Sequence, residues 1–82
     1  MIVVLSEDAQ KQYNRLPKAA QIKIYKKLDV LSKNSYSGKK LTGELSDFWS
    51  LRVWPYRIIY EINKKARRIE IHKIAHRQSV YN

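Results

Sequence analysis

The sequence predicts a small α+β domain in which two helices pack on one face of a mostly antiparallel sheet. Three observations favour this fold class: an apolar run opens the chain, two helical stretches follow as far as about residue 33, and alternation of apolar and polar residues begins at Phe48. The predicted order is strand, helix, helix and three strands. The 82 residues suffice for one domain, spanning 1–82, with a small core.

The first half of the chain is expected to form a strand and both helices. The run "MIVVL" is rich in β-branched residues and is typical of a strand buried on both faces. Ser6 is the expected N-cap of a first helix that ends near Arg15, before Pro17, and a second helix is predicted over residues 18–33. Apolar residues spaced by four, four and three are expected to face the core: Ala20, Ile24, Leu28 and Leu31.

The second half is expected to form three strands. Residues 34–47 carry both glycines and are predicted to be a long connection. Strands are predicted over residues 49–53, 57–62 and 68–73, with turns at Trp54-Pro55 and across 63–66. Because proline cannot adopt a positive φ, the first turn requires a longer loop or a cis Trp54–Pro55 bond, and the cis bond is our hypothesis.

Both hairpins predict the same buried face. In the first, Leu51 faces Ile58 and Trp49 faces Tyr60. In the second, Ile69 is expected to face Tyr60, and Ile71 to face Ile58. The opposite face then carries mainly polar residues: Ser50, Arg52, Arg57, Glu61, Arg68, Glu70 and His72.

The predicted pairing places Arg52, Arg57 and His72 side by side on that polar face. Directly opposed like charges are destabilising, so the two arginines indicate a bound anion, unless Glu61 and Glu70 neutralise the face diagonally.

The alternation fails near the end of the last predicted strand. Strict alternation would bury Lys73 and expose Ile74. We therefore expect a β-bulge or a strand end near residues 72–74, which leaves the directions of His76 and Arg77 open.

Charge and composition limit the partners. The formal net charge is +10, from seventeen Lys and Arg against seven Asp and Glu, which favours nucleic acid, an acidic protein or anionic lipid over a merely solubilising basic surface. Without cysteine, and with two histidines among scattered carboxylates, the sequence predicts no disulfide, structural metal or cofactor. No membrane span or signal peptide is recognisable, so we expect a cytoplasmic protein.

Arginine, histidine and tyrosine on a basic scaffold suit RNA chemistry. Cleavage without a metal requires deprotonation of a 2′-OH, stabilisation of charge on a pentacoordinate phosphorus and protonation of the leaving 5′-oxygen. Histidine suits the proton transfers, arginine suits the charged phosphorane, and an aromatic ring stacks on an unpaired base.

Four segments together resemble the RelE/ParE superfamily of bacterial and archaeal toxins: "LSEDAQKQYNRLP", "IYKKLDVLSKN", "LTGELSDFWSLRVWPYRIIYEI" and "IEIHKIAHRQSVY". The most specific pieces are "LRVWPYRIIYEI", similar to the superfamily's L-R-V-x-x-Y-R core, and "AHRQSVY", similar to its H-R-x-x-V-Y ending. The resemblance covers essentially the whole chain and implies a RelE-like fold.

The resemblance implies that the chain is a toxin of a type II toxin–antitoxin system. The RelE branch implies a metal-independent endoribonuclease that cuts mRNA in the ribosomal A site, contacts rRNA, and leaves a 2′,3′-cyclic phosphate and a 5′-OH. An acidic cognate antitoxin is the implied protein partner. The alternatives are a ParE-like inhibitor of DNA gyrase and a non-catalytic RNA-binding or degenerate toxin.

The resemblance also implies roles for individual residues. Arg57 matches the arginine that binds the scissile phosphate, Arg77 matches the basic residue that acts on the leaving group, and Tyr81 matches the tyrosine that orients the nucleotide. His76 lies where some members place a general acid or base. The predicted substrate-binding residues are Arg52, His72 and Lys73.

One departure from the superfamily concerns the catalytic base. RelE itself has lysines on the strand where this chain has Phe48 and Ser50. Because arginine is a poor base, His76, or His72 beside Arg57, is the expected base if the chain cuts RNA.

Overall fold

The computed structural model describes residues 1–77, and the predicted α+β class is confirmed. These residues form two helices and five strands, with a 3₁₀ turn at Gly43–Leu45. In chain order the elements are β1 (Ile2–Leu5), α1 (Glu7–Arg15), α2 (Lys18–Lys33), β2 (Lys39–Lys40), β3 (Trp49–Val53), β4 (Tyr56–Asn63) and β5 (Arg68–His76). The sheet order is β1-β5-β4-β3-β2, and only the β1–β5 pair is parallel.

Both helices have the predicted bounds. Ser6 caps α1, since its Oγ accepts a hydrogen bond of 3.0 Å from the Ala9 N–H, and Glu7 and Asp8 in the first turn suit the positive end of the helix dipole. The predicted apolar stripe of α2 is buried, as expected. No helix within residues 1–77 has the length and apolarity needed to cross a bilayer.

The core lies between the two helices and one face of the sheet. Its buried members come from both layers: Ala9, Ile24, Leu28, Leu31, Val53, Ile58, Tyr60, Ile69, Ile71 and Ile74. Because successive strand residues point to opposite faces, the other sheet face is left for polar side chains.

The prediction that the first strand is buried on both faces is wrong. Ile2 is 70% exposed and Val4 is 43% exposed, whereas Val3 and Leu5 pack against the core. The reason is that the helices cover only one face of the sheet, so alternate residues of β1 point to the uncovered face.

The short strand β2 lies inside what the sequence predicts as a connection. Its two lysines carry no apolar signal, and it pairs with β3 through Lys39 opposite Ser50 and Lys40 opposite Trp49. The preceding loop is fixed to the core by Tyr60, whose hydroxyl donates to the Ser35 carbonyl oxygen at 3.0 Å.

The first hairpin has the predicted register and the predicted cis peptide bond. Leu51 faces Ile58, Trp49 faces Tyr60, and the Trp54–Pro55 bond is cis.

The predicted register of the second hairpin is wrong by two residues. Its loop is 64–67 rather than 63–66, so Ile69 faces Ile62 and Ile71 faces Tyr60. Two local features explain this: Asn63 Oδ1 accepts from the Ala66 N–H at 3.0 Å, and Arg67 adopts a left-handed φ of 54°. A shift of two residues preserves the face of each side chain but changes its neighbours.

The predicted bulge is confirmed. Ile59 faces Lys73 and Tyr60 faces Ile71, so His72 is the extra residue in β5, and Ile74 returns to the core with 3% exposure.

Helix α1 supplies partners for the backbone around the bulge. The Ile74 N–H donates to Gln12 Oε1 at 2.7 Å, and Ser6 Oγ donates to the His72 carbonyl oxygen at 3.2 Å. Backbone groups at this irregular position are therefore satisfied by side chains rather than by the strand ladder.

Replacing Gln12 by Leu is expected to lower the free energy of unfolding by about 1–3 kcal/mol, because the buried Ile74 N–H loses its acceptor. Chemical denaturation of the parent and the variant measures the difference. Gln10→Leu is the matched control, since Gln10 is exposed on the same helix and its side chain donates to Asn14. Equal destabilisation by the two substitutions would contradict the proposed support of the bulge.

Candidate functional site

The sheet face opposite the helices carries a concentration of basic side chains, and we call it the polar face. Directly paired residues share a face, so the register defines two rows that cross this surface. The first row is Lys39, Ser50, Ile59 and Lys73, and the second is Arg52, Arg57 and Ala75.

Arg57 occupies the centre of the second row and is half-buried. Its Nη1 donates to Ser50 Oγ at 3.3 Å, and Ser50 is only 4% exposed. Lys39 lines the same cleft as Arg57 and Ser50, and it lies directly opposite Ser50. The serine therefore holds one guanidinium nitrogen in place while a lysine from β2 adds a second positive charge nearby.

Arg52 and Arg57 are directly opposed, as the sequence predicts. The alternative, in which Glu61 and Glu70 neutralise them, does not hold, because Glu61 pairs with His72 and Glu70 pairs with Arg68. Within residues 1–77, neither arginine forms an ion pair. This excess of positive charge is suited to a bound anion.

His72 does not lie beside Arg57, contrary to the prediction, because the corrected hairpin register places Ala75 opposite Arg57. The His72 Nε2 lies 2.9 Å from Glu61 Oε1, and the ring meets Phe48 edge-on at a centroid distance of 5.2 Å. Glu61 is four residues from Arg57 along β4, about 13 Å. The predicted trio of Arg52, Arg57 and His72 is therefore not assembled.

Three side chains at this end of the polar face could ligate a cation. Glu61, Glu70 and His72 offer ligand atoms within 4.8 Å of one another. Sequence spacing did not reveal the group, since the residues lie on two strands and meet only through the register of the hairpin. Protein contacts already engage all three, with Arg68 on Glu70 and with His72 on Glu61.

His76 and Arg57 lie on opposite faces. His76 pairs with Tyr56, and their rings meet edge-on at 5.8 Å, on the side of the sheet that carries the core. Lys73, in contrast, shares the polar face and lies opposite Ile59.

Arg77 and Arg52 converge on the turn between β3 and β4. The Arg77 N–H donates to the Pro55 carbonyl oxygen at 2.8 Å. Its guanidinium carbon lies 4.8 Å from the centroid of the Trp54 ring, and that of Arg52 lies 5.2 Å away. Tyr81 lies outside the described residues, so its role remains a prediction.

Sequence reasoning missed Lys39 and Gly38 as parts of the site, and it treated Trp54 only as a turn residue. Gly38 allows β2 to approach closely, because a Cβ there would lie 2.6 Å from the Tyr60 hydroxyl oxygen and 2.8 Å from the Ser50 carbonyl oxygen. The Gly38 N–H donates to that hydroxyl at 3.1 Å.

Burial raises the pKa of Tyr60 above its ordinary value of 10.0, and the hydrogen bond from Gly38 acts in the opposite direction.

A family model and a set of solved structures both match toxins. The family model described as the ParE toxin of the type II toxin–antitoxin system parDE matches residues 3–81. A comparison with curated protein sequences gives no significant match.

Solved structures of toxins share the fold. A chain of the toxin–antitoxin complex RelBE2 from Mycobacterium tuberculosis is 25% identical, with a TM-score of 0.85, over 92% of this chain and 95% of that chain. A chain of the archaeal RelE–RelB complex from Pyrococcus horikoshii is 27% identical, with a TM-score of 0.74, over 96% and 97%. The isolated Escherichia coli RelE toxin is 15% identical, with a TM-score of 0.79 over 92% and 82%, and supports the fold alone.

Replacing Gly38 by Ala is expected to lower the free energy of unfolding by about 1–3 kcal/mol, because the added methyl group would collide with Tyr60 and with the backbone of β3. It should also change the near-UV circular dichroism, since Trp49 stacks on Tyr60 at 6.2 Å. Gly43→Ala is the control: Gly43 has a φ of +69° but open space around it, so it tests backbone strain without a collision. An unchanged near-UV spectrum for Gly38→Ala would contradict the close approach.

Proposed function

This chain belongs to the ParE toxin family of type II toxin–antitoxin systems, within the RelE/ParE superfamily, and we propose that it is a ribosome-dependent mRNA endonuclease. One observation carries the proposal: Arg57 is fixed by Ser50 on a basic sheet face and forms no ion pair within residues 1–77. An arginine held in this way is prepared for a phosphate, because its guanidinium donates two parallel hydrogen bonds to phosphate oxygens.

The proposed reaction is an internal phosphoryl transfer in RNA. A ribose 2′-oxygen bonds to the adjacent phosphorus and its proton passes to a base, while the bond to the 5′-oxygen breaks and that oxygen takes a proton from an acid. The products are a 2′,3′-cyclic phosphate and a 5′-OH. Arg57 stabilises the additional charge on the pentacoordinate phosphorus, and Lys39 adds to the positive field.

Lys39 provides a basic group from β2, whereas the resemblance to RelE places lysines at or beside β3. The resemblance associates RelE with lysines at the positions of Phe48 and Ser50. In this chain Ser50 fixes Arg57 instead, and Lys39 lies directly opposite Ser50 on β2. We therefore assign Lys39 to the substrate-binding surface, together with Arg52 and Lys73.

The two histidines are the candidates for the proton transfers, but neither lies beside Arg57: His76 is on the opposite face, and His72 is beside Glu61, about 13 Å along β4 from Arg57. His72 is on the polar face, and its contact with Glu61 can orient the imidazole. The resemblance supports His76, with Arg77 acting on the leaving group and Tyr81 on the nucleotide. A pH–rate profile for His72→Gln and His76→Gln distinguishes the histidines, because loss of the acting base or acid removes one limb of the profile.

We further propose an acidic antitoxin as the protein partner and the cytoplasm as the site of action. The relatives from M. tuberculosis and P. horikoshii are complexes of a RelE-type toxin with its antitoxin. The net charge of +10 favours an acidic partner, and the ribosomal substrate would be encountered in the cytoplasm.

Inhibition of DNA gyrase is the second candidate function, and the match to the ParE family model favours it. Expression of the chain, followed by assays of translation, mRNA integrity and DNA supercoiling, distinguishes the candidates. Codon-positioned mRNA cuts that require ribosomes support the nuclease. Gyrase inhibition with intact mRNA supports the second candidate, and normal growth supports a non-catalytic RNA-binding module.

Replacing Arg57 by Ala should lower the rate of ribosome-dependent cleavage on the order of 100- to 1,000-fold, because a preorganised donor to the reacting phosphate is removed. Arg68→Ala is the matched control. Arg68 lies opposite Asn63, at the end of β4 that is far from Arg57, and forms an ion pair with Glu70, so it contributes only to the general electrostatic field of the protein. Cleavage of the same mRNA by purified ribosomes and toxin measures both. Equal losses in the two variants would refute the assignment of Arg57.

Replacing Lys39 by Met should lower cleavage about tenfold or more, because a positive charge in the cleft shared with Arg57 and Ser50 is lost while the aliphatic length is kept. The measurement is the same cleavage assay. Lys26→Met, on the exposed surface of α2, removes an equal charge outside the polar face and should have little effect. A loss of similar size in both variants would show that only the net charge matters.

A further inference from the structure

Trp54 is a large aromatic side chain that remains exposed beside the polar face. It lies in the turn between β3 and β4, and 54% of its surface is accessible. Burying an indole is among the larger sources of stabilisation in a small domain, and this ring is not used in that way. The guanidiniums of Arg52 and Arg77 lie over the ring instead.

The two arginines contact the ring in a geometry suited to cation–π attraction. Their guanidinium carbons lie 5.2 Å and 4.8 Å from its centroid, inside the roughly 6 Å limit for this interaction. Neither guanidinium forms an ion pair within residues 1–77, so their N–H groups remain able to bind an anion. Arg77 is also tethered through its backbone N–H to Pro55, which fixes it against the turn.

The Trp54 cluster, made of Arg52, Trp54 and Arg77, adjoins the proposed catalytic arginine. Arg52 lies directly opposite Arg57, and Cα atoms of directly opposed residues in antiparallel strands are about 4.5–5.5 Å apart. A ligand that places one phosphate on Arg57 would therefore bring its next unit to the cluster. In a single RNA strand, that unit carries a base and another phosphate.

We propose that the Trp54 cluster binds the unpaired nucleotide adjacent to the scissile phosphate. The indole stacks on the base through the part of its surface that stays exposed, and Arg52 binds the accompanying phosphate beside Arg77, which also serves the leaving group in the proposed reaction. The site deepens the proposed function and depends on RNA being the substrate. Single-stranded nucleic acid is the favoured ligand over an acidic peptide, because it combines a flat π-face with an anion, whereas a carboxylate side chain would use only the arginines.

Fluorescence of Trp54 tests the stacking directly. The Trp49→Phe variant keeps an aromatic ring against Tyr60 and leaves Trp54 as the single tryptophan. The probe is short single-stranded DNA, which lacks the 2′-OH and is not cut by the proposed reaction. Quenching by intact DNA should occur at several-fold lower concentration than quenching by the same strand with abasic sites. Equal quenching by the two strands would refute base stacking.

Affinity measurements provide the second test. Trp54→Leu should weaken binding of the same DNA on the order of tenfold, with a smaller effect for Trp54→Phe, which keeps a ring. Tyr25→Leu is the control, since Tyr25 is 66% exposed on α2 and should leave affinity unchanged. Salt dependence separates the parts of the site: Arg77→Gln should make the negative slope of log K against log salt shallower by about 0.7, whereas Trp54→Leu should leave the slope unchanged.

The outcomes separate this site from the proposed nuclease function. Base-dependent quenching without mRNA cleavage would preserve the nucleotide site and refute the nuclease. Cleavage of mRNA without base-dependent quenching would preserve the nuclease and refute the site. Quenching by a polyglutamate peptide at the same concentration as by intact DNA would indicate an acidic-protein surface and would also refute the nucleotide site.

Discussion

The extra residue in β5 is the constraint on which the two faces of the sheet depend. With His72 inserted opposite the Ile59–Tyr60 step, Ile74 packs in the core and Lys73 points to the polar face. Strict alternation would reverse those two positions and bury a lysine. A bulge disrupts the ladder, so it requires partners for its backbone, and α1 supplies them through Ser6 and Gln12. The first helix therefore has a structural role beyond covering the core.

The core and the candidate site are joined through Tyr60. Its ring packs in the centre of the core, while its hydroxyl leaves the core to bind the loop before β2. That loop positions Lys39 opposite Ser50, which in turn holds Arg57. The buried Tyr60 side chain thus connects the apolar core to the loop that positions Lys39 on the polar face. The close approach is available only because Gly38 lacks a side chain.

Strong local signals predicted much of the fold. Helix bounds followed from Ser6 and Pro17, and the bulge followed from the failed alternation at Lys73 and Ile74, because both depend on neighbours in sequence. The predicted position of the second turn was wrong because Asn63, predicted as part of the turn, ends β4 and accepts a hydrogen bond from the Ala66 N–H in the loop.

That error explains why only part of the predicted side-chain arrangement is present. The Arg52 and Arg57 pair depended on the first hairpin alone and was placed correctly. The placement of His72 beside Arg57 depended on the second hairpin, so a two-residue change in register separated them. Lys39 could not be found from pattern, since a two-residue strand has no periodicity. The basic face, the first turn and the helices could thus be predicted from the sequence. Contacts between β4 and β5 could not, because they depend on the register of the second hairpin.

The unneutralised arginines of the polar face also imply a conflict between folding and function. Arg52 opposite Arg57 repels in the free protein, and the convergence of Arg52 and Arg77 on one indole adds to that repulsion. The free chain carries this repulsion, and a bound polyanion would relieve it, so that binding of the proposed ligand and stability would be thermodynamically linked. Substitutions that stabilise the free protein by removing these charges would therefore be expected to weaken binding of the proposed polyanion.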